Sequence, residues 1–187
     1  MRLVLDHTTQ EASDVISFFF RPEAPLSWRA GQYLHYTLPH PDPDARKDDR
    51  FFTIAAAPHE RMTMITTRFT EGSGSSFKKA LRLMRPGGTI EADGPHGEFV
   101  LDDPSRPSMF IAGGIGVTPF RSILLDLDHR GLPLNIILLY ANRTEDVVYK
   151  SELAALAARH PEFRILYFIG DKRIDAAVIK ANAPDLQ

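Results

Sequence analysis

Three short segments of this 187-residue chain carry residue types and spacings that could do chemistry. The most specific is Ala112-Gly113-Gly114-Ile115-Gly116-Val117-Thr118-Pro119, which follows an apolar run and opens an amphipathic stretch. Glycines let a backbone turn sharply and approach a ligand closely, and a helix start favours the negative charge of a pyrophosphate. Pro119 suits a first helical turn, where its missing N–H costs nothing. The spacing is not the common G-x-G-x-x-G, and a tight strand-to-helix turn without ligand remains the plainer alternative.

The second segment is Gly72-Ser73-Gly74-Ser75-Ser76, ahead of a short helix beginning near Phe77. Free backbone N–H groups and serine hydroxyls at a helix start make a phosphate cradle. An ordinary serine N-cap after a glycine turn reads the same way. The third is Arg50-Phe51-Phe52-Thr53. On a strand, Arg50 and Phe52 share one face, and Phe51 and Thr53 the other. A cation, a flat apolar wall and a hydroxyl are what a flavin requires, although a strand with a core Phe and a surface Arg shows the same residues.

The elements that must position these groups change period along the chain. Residues 2–6, 14–20, 32–38, 50–55, 62–69, 89–92 and 98–101 read as short strands bounded by Pro, Gly and Asp clusters. A short helix is expected over 75–84, and the charged, proline-containing stretch 40–50 reads as a loop. Strands at this spacing predict a small barrel or sandwich. Beyond Pro104 the pattern alternates. Strands are expected at 108–112, 134–139 and 164–169, and helices at 118–129, 148–159 and 175–181. That alternation predicts a parallel sheet with crossover helices. The expected division is 1–103 and 104–187.

Composition narrows the function. The chain has no cysteine, which excludes disulfides, thiolate metal sites and a cysteine-ligated cluster within it. That fits a reducing, cytoplasmic setting. A formal net charge of -2 gives no support to nucleic-acid binding. No stretch approaches the roughly 18 continuous apolar residues of a membrane span. The seven histidines show no metal-binding helical spacing, so no metal site is expected.

In combination the three segments resemble the motifs of the ferredoxin-NADP reductase superfamily. Arg50-Phe51-Phe52-Thr53 is similar to its R-x-[YF]-[ST] flavin motif, Gly72-Ser73-Gly74-Ser75 to its G-x-x-S phosphate motif, and Gly113 to Pro119 to its G-G-x-G-x-x-P nicotinamide motif. Tyr140-Ala141-Asn142-Arg143 resembles the segment after the second strand of its nucleotide domain. The resemblance implies an N-terminal antiparallel flavin-binding barrel, then a doubly wound, parallel-sheet NAD(P)-binding α/β domain missing its last strands.

The resemblance also implies roles. Arg50 would pair with the FAD pyrophosphate, Phe52 would stack on the isoalloxazine and Thr53 would hydrogen-bond near flavin N5. Gly72, Gly74, Ser75 and Ser76 would hold phosphate. Gly113, Gly114, Gly116, Thr118, Pro119 and Arg143 would receive NAD(P)H. FAD is implied over FMN, with hydride passing from nicotinamide to flavin and electrons onward to a separate acceptor. A ferredoxin or flavodoxin-like carrier could dock on Lys78, Lys79, Arg82 and Arg85, although a solvated helix face is the plainer reading of these cations. The alternative reading is a non-catalytic flavin-binding or electron-transfer module. Arg143, Lys172 and Arg173 could meet a 2′-phosphate that Asp171 would repel, which leaves NADH against NADPH open.

Overall fold

A computed structural model of the chain describes residues 1–70, 72 and 74–183. The first half is an antiparallel sheet of strands β1 (Arg2–Ala12), β2 (Val15–Pro22), β3 (Tyr33–Thr37), β4 (Asp49–Thr53), β5 (Thr63–Arg68) and β6 (Thr89–His96). Their order is β4-β3-β6-β1-β2-β5, curled into a half-barrel whose end strands β4 and β5 come into contact. Alternation decides which side chains fill it. Leu3 and Leu5 of β1, Phe18 and Phe20 of β2, and Leu34 and Tyr36 of β3 are essentially inaccessible. Phe19 points the other way and stacks on His7 at 4.3 Å. Helix α1 (Ser76–Leu83) caps the open side by burying Phe77 and Leu81, one turn apart. Full burial of such a side chain stabilises by about 2 kcal/mol.

The second half is a parallel sheet, ordered β7 (Ser108–Gly113), β8 (Ile136–Asn142) and β9 (Arg164–Ile169). Helices α2 (Thr118–His129), α3 (Lys150–Arg159) and α4 (Ala176–Asn182) interleave with these strands. Phe120, Ile123, Leu124 and Leu127 give α2 one buried face. Strands β7 and β8 run in register from Ser108↔Ile136 to Gly113↔Ala141, so the glycine turn stands at the C-terminal end of the sheet.

Two local expectations change. Residues 98–101 form no strand, and Phe99 instead runs irregularly across Gly31. A Cβ on Gly31 would lie 2.0 Å from the Phe99 carbonyl oxygen, so glycine there admits the crossing chain. Strand β6 extends past the expected end at 92 to His96, pairing Tyr33 with His96.

The halves are joined through the buried segment 54–57, which continues from β4. Its alanines admit α2 closely. Arg121 Nη1 donates to the Ala55 carbonyl at 2.9 Å, and Ser122 Oγ donates to the Ala56 carbonyl at 2.7 Å. Trp28 Nε1 donates to the same Ala56 oxygen at 3.3 Å. Arg121 also binds Glu60 and Glu152 through both carboxylate oxygens of each. Burial opposes its charge, but the two carboxylates more than offset that and raise its pKa. The helix that follows the glycine turn is thus bolted to the strand that carries Arg50 and Phe52.

Candidate cofactor-binding clefts

On the half-barrel, Asp44, Arg46, Arg50, Phe51, Phe52, Arg68, Thr70, Gly74, Ser75 and Lys78 line a cleft of about 610 Å³. Phe52 is half-buried there, 5.7 Å from Phe77 and 6.1 Å from Tyr36 between ring centroids, with one side against the core. Phe51 leaves on the other face and stacks on His35 at 4.3 Å, as strand alternation requires. Thr53 ends β4 opposite Tyr33 and is outside this lining.

Arg50 is buried, and its guanidinium is already engaged. Nη2 reaches both Asp44 carboxylate oxygens at 2.6 and 2.7 Å, and Nη1 donates to the carbonyls of Arg46, Lys47 and Asp49. Nε is buried without a partner. Asp44 also accepts from the Ser76 backbone N–H at 3.0 Å, while its own N–H donates to Ser76 Oγ at 2.9 Å. The Arg50 side chain holds the Asp44 carboxyl far below the usual range. Ser75 acts as the N-cap of α1, accepting from the Lys78 N–H at 3.3 Å. Gly72 has φ +74°, a conformation that favours glycine, and Ser73 lies outside the described residues.

The remaining cations crowd together. Lys78 is half-buried, and its pKa is lowered first by desolvation and then by repulsion from Arg46 and Arg68. The sequence suggested a solvated cation on Lys78, but α1 turns it inward, where Nζ donates to the Arg68 carbonyl at 3.1 Å. Arg82 lies over the Phe69 ring at 5.3 Å instead.

A second cleft, of about 900 Å³, opens at the C-terminal end of the parallel sheet. Gly113, Gly114, Ile115, Asn142, Arg143, Lys172 and Arg173 are among its lining residues. Gly114 takes φ +49° and begins a short 3-10 turn, Gly114–Val117, whose carbonyl at Gly114 accepts from Tyr140 Oη at 3.0 Å. Gly116, Thr118 and Pro119 do not line the cleft: Thr118 is buried, and Pro119 sits in the first turn of α2. Arg143 is exposed at the rim, and Asp171 is not among the lining residues. Asn142 is buried with both amide atoms unpartnered. Such an orphaned amide at a cleft wall is what a polar ligand would satisfy.

Arg68 lines both clefts. It ends β5, pairs with Asp14 at 2.7 Å and reaches towards Gly114. Sequence reasoning missed it, together with Arg46, and gave Asn142 no role beyond its place in the Tyr140–Arg143 segment; the one available signal was Arg68's place at a strand end just before the glycine-serine turn. The residues present therefore fit the two groups implied by the motifs: a ring wall and a cationic recess on one side, a glycine turn with an unsatisfied amide on the other. Among the described residues no group of three or more side chains could hold a metal, and no helix is long and apolar enough to cross a membrane.

An antiparallel half-barrel bolted to a parallel sheet with its glycine turn facing the joint defines a ferredoxin reductase-type architecture. Residues 110–180 match the oxidoreductase NAD-binding domain. The chain is 39% identical over 134 residues to ferredoxin–NADP reductase B of Sorangium cellulosum, covering 70% of this chain and 52% of that one. It is 31% identical to the NAD(P)H-flavin reductase of Aliivibrio fischeri, covering 80% and 64% respectively. The cytochrome b5 reductase domain of Ulva prolifera nitrate reductase superposes with a TM-score of 0.79 at 25% identity, covering 96% of this chain and 80% of that one. The chain belongs to the ferredoxin reductase-type FAD/NAD(P)-binding oxidoreductase family and spans about half to two thirds of the length of these curated relatives.

Proposed function

We propose that this chain is the flavin- and nicotinamide-binding part of an NAD(P)H-dependent oxidoreductase, with residues 1–103 receiving FAD and residues 104–187 receiving NAD(P)H. When bound, the two cofactors supply the redox chemistry: hydride leaves the nicotinamide for the flavin, and electrons pass on to a separate acceptor such as a ferredoxin or flavodoxin-like carrier. The observation that carries this reading is that two clefts of suitable chemistry meet at Arg68.

The chain's own part is positional and electrostatic. Phe52 offers a flat apolar wall, while Thr53, next on the same strand but outside the cleft lining, would have to meet a bound ring at its edge. The glycine turn lets a dinucleotide approach the sheet end without side-chain obstruction, and the Tyr140 hydroxyl steadies that turn. The Arg121 clamp, through Glu60 and Glu152, ties helix α2 behind the glycine turn to the segment that follows β4, and so supports both clefts.

Adding NADPH or NADH anaerobically to flavin-loaded protein tests the reading. Bleaching of the flavin's visible band is expected. Bound flavin without bleaching would favour a non-catalytic flavin-binding module, and a folded protein that takes up no flavin would refute both.

A further inference from the structure

We infer that Tyr149 is a positioning residue that locks one wall of the nucleotide cleft to the half-barrel, and so aligns the two clefts for hydride transfer. The inference rests on the functional reading above and adds a residue to it. The loop 143–149 joins β8 to α3 and contributes Arg143, Thr144 and Asp146 to the cleft at the sheet end. Tyr149 closes that loop as the N-cap of α3, with φ +60° and ψ +18°. A bulky side chain seldom takes this left-handed conformation, and keeps it only where its surroundings hold it.

Those surroundings lie in the other half of the molecule. The ring is buried, and its hydroxyl donates to Thr66 Oγ1 of β5 at 2.5 Å. Thr66 Oγ1 in turn lies 2.7 Å from Ser17 Oγ of β2, which is also buried. Burial pushes the phenol pKa up, so the group stays protonated and remains a donor. The Arg121 guanidinium covers the ring at 5.2 Å. A second tie holds the same loop: the Ser13 N–H, in the turn between β1 and β2, donates to Asp146 Oδ2 at 2.6 Å. The next residue, Asp14, pairs with Arg68, the cation common to both clefts. Tyr149 itself is in the lining of neither cleft. It acts on the chemistry only through its loop, by fixing where that wall stands relative to β5. A misplacement of about 1 Å can cost a reaction a factor of about 100, and losing one tie among several should cost less.

The test compares wild type with Tyr149→Phe, Thr66→Val, the double variant and the conservative Thr66→Ser. Anaerobic stopped-flow reduction of the bound flavin, over a range of NADPH or NADH, separates the limiting rate from the nucleotide dissociation constant. Hydrogen exchange on the protein without cofactors reads the loop directly. Tyr149→Phe and Thr66→Val should each lower the limiting rate about tenfold, with flavin and nucleotide affinities within about twofold of wild type. The double variant should be no slower than either, because both remove the same bond. Thr66→Ser should keep the wild-type rate. Exchange in segment 143–149 should quicken about tenfold in the slow variants, and segment 54–57 should not change. A wild-type limiting rate or wild-type exchange in Tyr149→Phe overturns the assignment, as does a loss confined to nucleotide affinity or exchange that quickens throughout the chain. If wild-type flavin is reduced while one of those results appears, only this assignment fails; if neither nucleotide reduces wild-type flavin, the functional reading falls and takes the assignment with it.

Discussion

The two clefts are built on opposite principles. On the half-barrel side the motif arginine is folded inward, satisfied by Asp44 and by its own loop. On the parallel-sheet side fewer of the lining groups are engaged: Arg143 is exposed, Gly114 faces the cleft, and Asn142, though buried, is unpartnered. One cleft owes its shape to polar groups that satisfy each other, so its residues bear on stability as well as binding. The other leaves its polar groups for a ligand, so they can be removed at little structural cost. The same residue type, arginine, should therefore behave differently in the two places.

The largest effect should come from the residue that holds the clefts together. Arg121→Met leaves the Glu60 and Glu152 carboxylates and the Ala55 carbonyl without their partner. Removing one member of a buried ionic network costs about 3 kcal/mol. Urea unfolding should show that loss, and a change below about 1 kcal/mol would mean that water replaces the guanidinium readily. The flavin and nucleotide sites should also lose their coupling, seen as slower reduction by nicotinamide with flavin affinity kept.

Next comes the arginine contrast itself. Arg50→Met should destabilise by about 2 kcal/mol, because Asp44 and the loop carbonyls lose a charge-assisted donor. Arg143→Ala should change stability by less than about 0.5 kcal/mol, as an exposed substitution does. It should instead weaken nucleotide binding. Arg143, Lys172 and Arg173 line that cleft while Asp171 does not, so 2′,5′-ADP should bind more tightly than 5′-AMP. Calorimetry should show Arg143→Ala reducing that preference about tenfold, the scale of one charge-assisted contact. Equal affinities for the two nucleotides in wild type would remove the basis for a 2′-phosphate seat.

This contrast also shows what the sequence could reveal. The parallel sheet, α2 and the glycine turn were legible because each depends on neighbours in sequence: an apolar run, a 3.6-residue stripe, and glycine where φ is positive. The strand faces of Arg50 to Thr53 followed from alternation alone. The engagement of Arg50 did not, because Asp44 meets Ser76 across 32 residues and the loop charges have no period. Lys78 was misjudged for the same kind of reason. Its helix is amphipathic, but whether the flank of that face meets solvent or a cleft depends on Arg46 and Arg68 arriving from elsewhere. Residues 98–101 have strand composition, yet they cross Gly31 with no ladder partner. The role of the three alanines at 55–57 was written only as smallness, which gains meaning once α2 is packed on them.

A smaller effect separates the glycine turn from its helix. Gly114→Ala places a Cβ at φ +49°, where an L residue is strained, although no atom but a distant Arg68 nitrogen would meet it. The cost should be about 1 kcal/mol in unfolding free energy. Gly116→Ala, with ordinary φ and open space, should cost less. If both variants lose nucleotide affinity equally, the turn acts as a whole; if Gly114→Ala alone does, the close approach lies at that residue.

The smallest effect is in pH, and it distinguishes the joint from the half-barrel cleft. Burial pushes the Glu60 carboxyl up, but Arg121 outweighs it and holds the group below its ordinary value near 4.5. A carboxyl depressed in the folded state contributes stability that is complete above the unfolded value and lost as pH falls through the folded one. The clamp should thus weaken only below about pH 4.5, and the melting temperature of wild type should fall there faster than that of Glu60→Gln, which has no such proton to gain. Asp44 is depressed much further, so its pair with Arg50 should outlast the clamp as acid is added. Acid should therefore uncouple the halves before it opens the loop at Arg50. Hydrogen exchange at pH 3 to 4 would show the reverse order of protection, in segment 54–57 against segment 44–50, if the self-satisfied cleft were the weaker of the two.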